Sequence, residues 1–154
     1  MSQVSHRLTA AGIVLPDPVA PIANYVPFVR AGDLVHISGQ VSLDASGGVT
    51  GTVGVDVDMT EAVRAARLCG INLLAQMRAA CDGDLDRVVR VVKLGGFVQA
   101  GPDFFDIPAV INGCSDVMVE AFGDAGRHAR SAVGVYRLPR NFSVEVDAIV
   151  EIAR

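Results

Sequence analysis

The sequence lacks any apolar run approaching the roughly 18–20 residues that a membrane-spanning helix needs, because a charge or a glycine interrupts every stretch. It lacks a cysteine framework as well. Cys69, Cys81 and Cys114 form no CxxC pair and no Cys/His ligand spacing. They read as small core residues in a reducing cytoplasm, with a reactive thiol as the alternative. There is no basic excess: 13 Lys and Arg stand against 17 Asp and Glu, for a net charge of −4. The basic residues are scattered rather than striped, which argues against nucleic acid as the main partner. Met1 to Leu8 shows no basic region followed by an apolar stretch, so no secretory signal is read and a cytoplasmic location is expected. No repeat, low-complexity tract or linker divides the chain. His36 and His128 have no acidic or cysteine partner at ligand spacing, so no metal is expected. The Gly95-Gly96 pair and Ser46-Gly47-Gly48 lack the strand–loop–helix context of a phosphate cradle.

What is present is apolar mass. The chain has 154 residues, of which 51% are hydrophobic and 19% charged, and its mean hydropathy is +0.41. That length predicts one domain over 1–154. The apolar excess is high for a monomer of this size and points to a subunit interface.

The pattern along the chain predicts an α+β domain. His6 to Val14 reads as an opening strand ended by an irregular loop at Pro16, Pro18 and Pro21. Asn24–Val29 and Leu34–Val41 flank Arg30-Ala31-Gly32-Asp33 and read as a hairpin. Strict alternation along the second arm places Val35, Ile37, Gly39 and Val41 on one face and Leu34, His36, Ser38 and Gln40 on the other. Asp58, followed three residues later by Glu61, opens a helix from Met59 to about Ala80, with Ala62, Ala65, Ala66, Cys69, Leu73, Leu74 and Met77 at helical spacing and Asp82-Gly83 as its end. Val88–Gln99 reads as a strand with a bulge or close approach at Gly95-Gly96. A second helix is expected over about Phe105–Phe122, with Pro108 in or just before its first turn. Arg130–Tyr136 and Phe142–Ile152 close the chain as strands. Both helices are expected on one face of the sheet.

Strand phase then organises the candidate residues. In the last strand Phe142, Val144, Val146, Ala148, Val150 and Ile152 alternate with Ser143, Glu145, Asp147 and Glu151, so the apolar row goes under the helices. In the strand before it, Val133 and Val135 are assigned to the covered face. Arg130 and Glu145 are thereby expected together on the open face, in pockets between subunits. Arg130 offers a planar fork for a carboxylate, with a structural ion pair to Glu145 or Asp147 as the competing role. Glu145 has the chemistry to hold or activate a water, or to be that ion-pair partner. Tyr25 offers a phenolic donor or simple packing. Asn112 offers polar contacts from the second helix or lies at its surface.

These residues resemble a known family. Ala129-Arg130-Ser131 through Leu138-Pro139, followed by Val144-Glu145-Val146-Asp147-Ala148-Ile149, is similar to the C-terminal signature of the RidA (YjgF, reactive-intermediate deaminase) family. Tyr25, Gly32 and Ile37-Ser38-Gly39-Gln40 resemble its N-terminal motif, and the likeness runs from Ala20 to near the chain end, behind a short N-terminal extension. The resemblance implies a chorismate-mutase-like α+β fold, a mostly antiparallel sheet with two helices on one face, assembled as a homotrimer with pockets between subunits. It implies hydrolysis of 2-imino acids to 2-oxo acids and ammonia without a cofactor. Arg130 matches the carboxylate-binding arginine and Glu145 the residue that positions the water. Tyr25, Ser38, Gly39 and Asn112 match residues that line the cleft. Ala132 stands where the family often has Cys, and His128 where it commonly has Pro. A non-catalytic carboxylate-binding module on the same trimeric fold is the alternative. Ribonuclease activity, a third reading, is disfavoured by the negative net charge and the lack of a histidine pair.

Overall fold

In the computed structural model, which describes residues 2–18 and 23–154, eight main elements follow one another. They are α1 (Gln3–Ala10), β1 (Phe28–Ala31), β2 (Leu34–Val41), α2 (Met59–Ala80), β3 (Val88–Gln99), α3 (Ile107–Phe122), β4 (Ala129–Val135) and β5 (Val144–Ile152). The strands form one sheet in the order β1-β2-β5-β3-β4. Only the β3–β4 pair is parallel; the other three pairs are antiparallel. The α+β class, the mostly antiparallel sheet and the paired helices on one face stand as expected.

The last strand is the central one. β5 sits between β2 and β3, and its apolar row Val144, Val146, Ala148, Val150 and Ile152 is at most 2% exposed. That row meets the buried stripe of α2 (Ala62, Ala65, Ala66, Cys69, Leu73), and the apolar face of α3 (Val110, Ile111, Cys114, Val117, Met118) joins the same core beside α2, over β3 and β4. The start of α2 is held by Asp58, whose carboxylate accepts the Glu61 N–H at 2.9 Å, and the chain leaves it through Asp82 (φ 54°) and Gly83 (φ 94°). At the other end of the sheet the fully buried Gln99 side chain ties the return path. It accepts from Leu138 N at 2.8 Å and donates to the Gly51 carbonyl at 3.2 Å and to Asn141 Oδ1 at 2.7 Å.

Three expectations about these elements are corrected, and one with two alternatives is decided. His6–Val14 is not a strand: the first element is the helix α1. Ser2 caps it by accepting from Ser5 N at 3.2 Å. Asp86 accepts the free N–H groups of Gln3 and Val4 at 2.8 and 2.9 Å, and Val4 and Leu8, one turn apart, are buried. Of the proline cluster, Pro16 and Pro18 lie in irregular chain, and Pro21 lies outside the described residues.

The alternation of β2 breaks at Ser38-Gly39. Ile37 pairs with Ala148 and Gln40 with Val146, so two residues of β2 stand opposite Asp147 alone. Beyond that bulge the phase inverts. Val41 pairs with Glu145 on the uncovered face, and Gly39 no longer shares a row with Val35 and Ile37.

Gly95-Gly96 keeps regular pairing with both neighbours, and the bulges of β3 lie earlier, between Val88 and Arg90 and between Val91 and Lys93. What the glycines provide is close approach. A Cβ on Gly96 would stand 2.7 Å from Ile111 Cδ1 of α3, and one on Gly95 would stand 2.5 Å from Asp147 Oδ1.

The third correction concerns β4. Arg130 pairs with the buried Leu94 and Ala132 with Gly96, while Val133 pairs with Phe97 and is 46% exposed. The side under the helices is therefore Arg130, Ala132 and Gly134. A Cβ on Gly134 would stand in ordinary contact with Ile107 at 3.4 Å, which places this row beside α3.

Candidate functional site

Arg130 leans from β4 across to α3. Its Nη1 donates to Asn112 Oδ1 at 2.8 Å and to Ser115 Oγ at 3.0 Å, and its Nη2 reaches the Pro108 carbonyl at 3.4 Å. Asn112 and Ser115 are three residues apart, on one face of α3. Pro108, in the first turn, leaves its carbonyl turned to the guanidinium. All three partners are neutral. No carboxylate stands within ion-pair distance of Arg130 among the described residues, and its Nε is unengaged. The guanidinium is thus held in place without being neutralised, a posture suited to an incoming anion.

The ion pair with Glu145 or Asp147 that competed for Arg130 is not formed, because β5 carries those carboxylates on the opposite face. Glu145 pairs with Phe97 and Asp147 with Gly95. Both are half-buried. Burial pushes the Glu145 carboxyl above the usual range and Asp147 adds to it by repulsion. Burial raises Asp147 too, against the opposing pull of the Gly95 N–H and Lys93. Gly39, at the bulge, makes room for Glu145: a Cβ there would collide with Oε1.

Ser38 Oγ donates to the Val26 carbonyl at 2.8 Å and its N–H to Pro27, fixing the segment that carries Tyr25 against β2. Tyr25 is 55% exposed. Ala132 packs beside the core on the Arg130 side. The seven expected residues therefore divide into two groups within one chain. Arg130, Asn112 and Ala132 lie at the β4–α3 edge, on the helix side. Tyr25, Ser38, Gly39 and Glu145 lie around β1, β2 and β5, on or beside the uncovered face. Ser38 is the hinge of that second group rather than a free donor. Four inter-strand steps separate β1 from β4, about 19 Å at ~4.8 Å each.

One residue beside Arg130 was not singled out by the sequence reading, and a second, His128, was named within the anion-recognition segment His128-Ala129-Arg130-Ser131 without a role of its own. Ser115 shares its helix face with Asn112, a spacing visible in the sequence. His128 contacts Ser115 Oγ with Nε2 at 3.0 Å and the Gly126 carbonyl with Nδ1 at 2.6 Å. Burial pushes its imidazole below the usual range, and Arg130 does so further, against the Gly126 hydrogen bond. Among the described residues no three His, Cys, Asp or Glu side chains gather to hold a metal ion, and no helix is long and apolar enough to cross a membrane.

The uncovered sheet face carries Val29, Leu34 and Val133, which are 55%, 37% and 46% exposed, together with Ile149 and Phe97. These apolar side chains share the face with the half-buried Glu145 and Asp147.

Known proteins share this plan. Protein TCP17 of Trypanosoma cruzi is 47% identical over 152 residues, covering 97% of this chain and 94% of its own. A 2-iminobutanoate/2-iminopropanoate deaminase of Dermatophagoides farinae is 32% identical over 143 residues, covering 90% and 95%. The crystal structure of the protein Atu1372 from Agrobacterium tumefaciens superposes with a TM-score of 0.92 at 49% identity, covering 97% of this chain and 92% of that one. Residues 5–152 match the model of a family described as YjgF/chorismate mutase-like, a description that also carries an endoribonuclease label. With its fold, its signature segments and nearly its whole length in agreement, the chain belongs to the YjgF/chorismate mutase-like family.

Proposed function

We propose that the chain is a subunit of an imine deaminase that hydrolyses 2-imino acids to 2-oxo acids and ammonia. The observation that carries this reading is the Arg130 guanidinium, fixed by Asn112, Ser115 and the Pro108 carbonyl yet without a carboxylate partner. A 2-imino acid supplies that carboxylate. Its protonated imine is already electrophilic, so the protein needs only to orient the carbon and deliver water. Water adds to the imine carbon as a base takes its proton. The carbinolamine then expels ammonia and leaves the 2-oxo acid. The related deaminase from Dermatophagoides farinae acts on imines of this class by its name.

Glu145, with its raised proton affinity, is the water-holding carboxylate in this reading. Since it and Arg130 occupy opposite faces of one sheet, a complete site needs Arg130 of one subunit and Glu145 of another. A homotrimer closed through the uncovered sheet faces, with Tyr25 and the Ser38-Gly39 bulge at its seams, supplies that pairing and buries the exposed Val29, Leu34 and Val133.

The test generates an imine in place with an amino-acid oxidase or a dehydratase and times release of 2-oxo acid. Faster release with the protein than in buffer, lost in Arg130→Ala, is expected; release at the buffer rate overturns the reading. The separation of Arg130 from Glu145 within one chain favours a second reading, a carboxylate-binding module without turnover. Calorimetric binding of a 2-oxo acid with imine decay left at its background rate would establish it.

A further inference from the structure

The cleft between α3 and the start of β4 holds a second kind of chemistry beside the guanidinium. His128 Nδ1 lies 2.6 Å from the Gly126 carbonyl oxygen. A carbonyl only accepts, so the imidazole proton sits on Nδ1. The neutral ring then presents a bare Nε2, and Ser115 Oγ, 3.0 Å away, donates its hydroxyl proton to it. The same oxygen accepts from Arg130 Nη1 at 3.0 Å. Three requirements for an activated hydroxyl therefore meet at Ser115: a base in hydrogen-bond contact, a third group that orients the base, and a fixed positive charge at the reacting oxygen.

We propose that Ser115 is a nucleophile, activated by His128, that accepts the acyl group of a short-chain ester or thioester.

Ser115, His128 and Arg130 line one open cleft of about 260 Å³, shared with Asp116, Val119 and Arg127. That space admits an acyl group of a few carbons on Val119. Arg127 is paired with Asp124 at 3.4 Å and Asp116 offsets charge in the wall, which leaves Arg130 as the unneutralised cation. A neutral acyl donor fits that balance, since its one developing charge, the carbonyl oxyanion, is met by Arg130. Ser115 Oγ bonds to the carbonyl carbon while its proton passes to His128 Nε2. The tetrahedral intermediate collapses, the bond to the leaving oxygen or sulfur breaks, and that atom takes the proton from Nε2. Water, deprotonated by the same nitrogen, later releases the carboxylic acid and restores the serine hydroxyl. Atoms and charges balance with no further reactant.

The charged and titratable groups facing His128 are Arg130 on β4, Asp116 on α3, Arg127 beside it in the chain, and Arg90 and Glu151 across the neighbouring cleft. Burial and Arg130 keep the ring neutral to lower pH than an ordinary histidine.

The experiment treats the full chain with p-nitrophenyl acetate, following nitrophenolate release and intact mass, and separately with diisopropyl fluorophosphate. One acyl or phosphoryl group per chain, mapped to Ser115, is expected. It should be absent in Ser115→Ala, and acylation should be at least about 100-fold slower in His128→Gln. The wild-type rate should fall on acidification only below the ordinary imidazole range. Ser115→Cys guards against a folding defect in the alanine variant: iodoacetamide should alkylate Cys there at neutral pH, and His128→Gln added to it should slow the alkylation. No adduct at Ser115 with either reagent, an adduct only on Lys93 or the amino terminus, or labelling indifferent to His128→Gln overturns the proposal. None of these readouts depends on imine turnover, so failure here and failure of the deaminase reading are separate results.

Discussion

Arg130 and Glu145 project from opposite faces of one sheet: Arg130 is in register with the buried Leu94, under the helices, while Glu145 is in register with Phe97 on the uncovered side. A substrate anchored on the first cannot reach the second in the same chain, and that separation sets the sharpest expectation.

If the two act on one substrate, they come from different subunits. Arg130→Ala and Glu145→Gln chains, each inactive in imine hydrolysis, should then complement when co-refolded in equal amounts. Random mixing gives about a quarter of the sites an intact arginine and an intact glutamate. Recovery near that fraction of wild-type rate is expected. Zero recovery from folded mixed oligomers would place both groups on one chain's substrate or remove one of them from the reaction.

Asn112 and Ser115 fix Arg130 and carry no charge themselves. Arg130→Ala should weaken 2-oxo acid binding by about 10- to 150-fold, the loss of a charge-assisted pair at ~1.5–3 kcal/mol. Asn112→Ala should weaken it less, because the guanidinium stays but loses one of its restraints. Titration calorimetry at low ionic strength reads both. Equal affinities for wild type and Arg130→Ala would move the anion site elsewhere.

The two central glycines should differ in what an added methyl does. At Gly96 a Cβ would meet three atoms of Ile111 at 2.7–2.8 Å, inside the packed α3 contact. At Gly95 it would meet the tip of the Asp147 carboxylate, which can swing away. Gly96→Ala should cost about 1–3 kcal/mol in denaturant unfolding, and Gly95→Ala distinctly less. The reverse order would mean that β3 shifts to relieve Ile111.

How much of this was legible depended on how local each signal is. α2 could be read to the residue, since Asp58 with Glu61 at one end and Asp82-Gly83 at the other mark it within a few positions. The alternation of β5 is equally local and was read correctly. α1 was missed because its marks, Ser2 as cap and Val4 and Leu8 one turn apart, begin before the apolar alternation that imitates a strand. The phases of β2 and β4 are not local properties. The bulge at Ser38-Gly39 exists only against β5, and the phase of β4 is set by its register with β3, which puts Ala132 beside Gly96 and Gly134 beside the buried Val98. The candidate residues were therefore named from the sequence, whereas their division between two faces required the sheet.

The carboxylates on the uncovered face carry a pH signature that follows from the same division. Glu145 and Asp147 both hold their protons more tightly in the fold than in the unfolded chain, chiefly through burial. The folded state is therefore favoured while they are protonated. That contribution is full below the unfolded carboxylate values near ~4 and is lost as pH rises through the raised folded values. Glu145→Gln removes the ionisation without removing the hydrogen-bonding shape, so the variant should melt above wild type at pH 7, with the difference closing as pH approaches ~4. The rise should grow when subunits cover that face, because deeper burial penalises the charge further. Thermal unfolding from pH 4 to 8, at protein concentrations above and below the dissociation of the proposed trimer, measures both effects. A Glu145→Gln variant that melts lower than wild type at neutral pH would show instead that the ionised carboxylate is paired with a cation in the assembled protein.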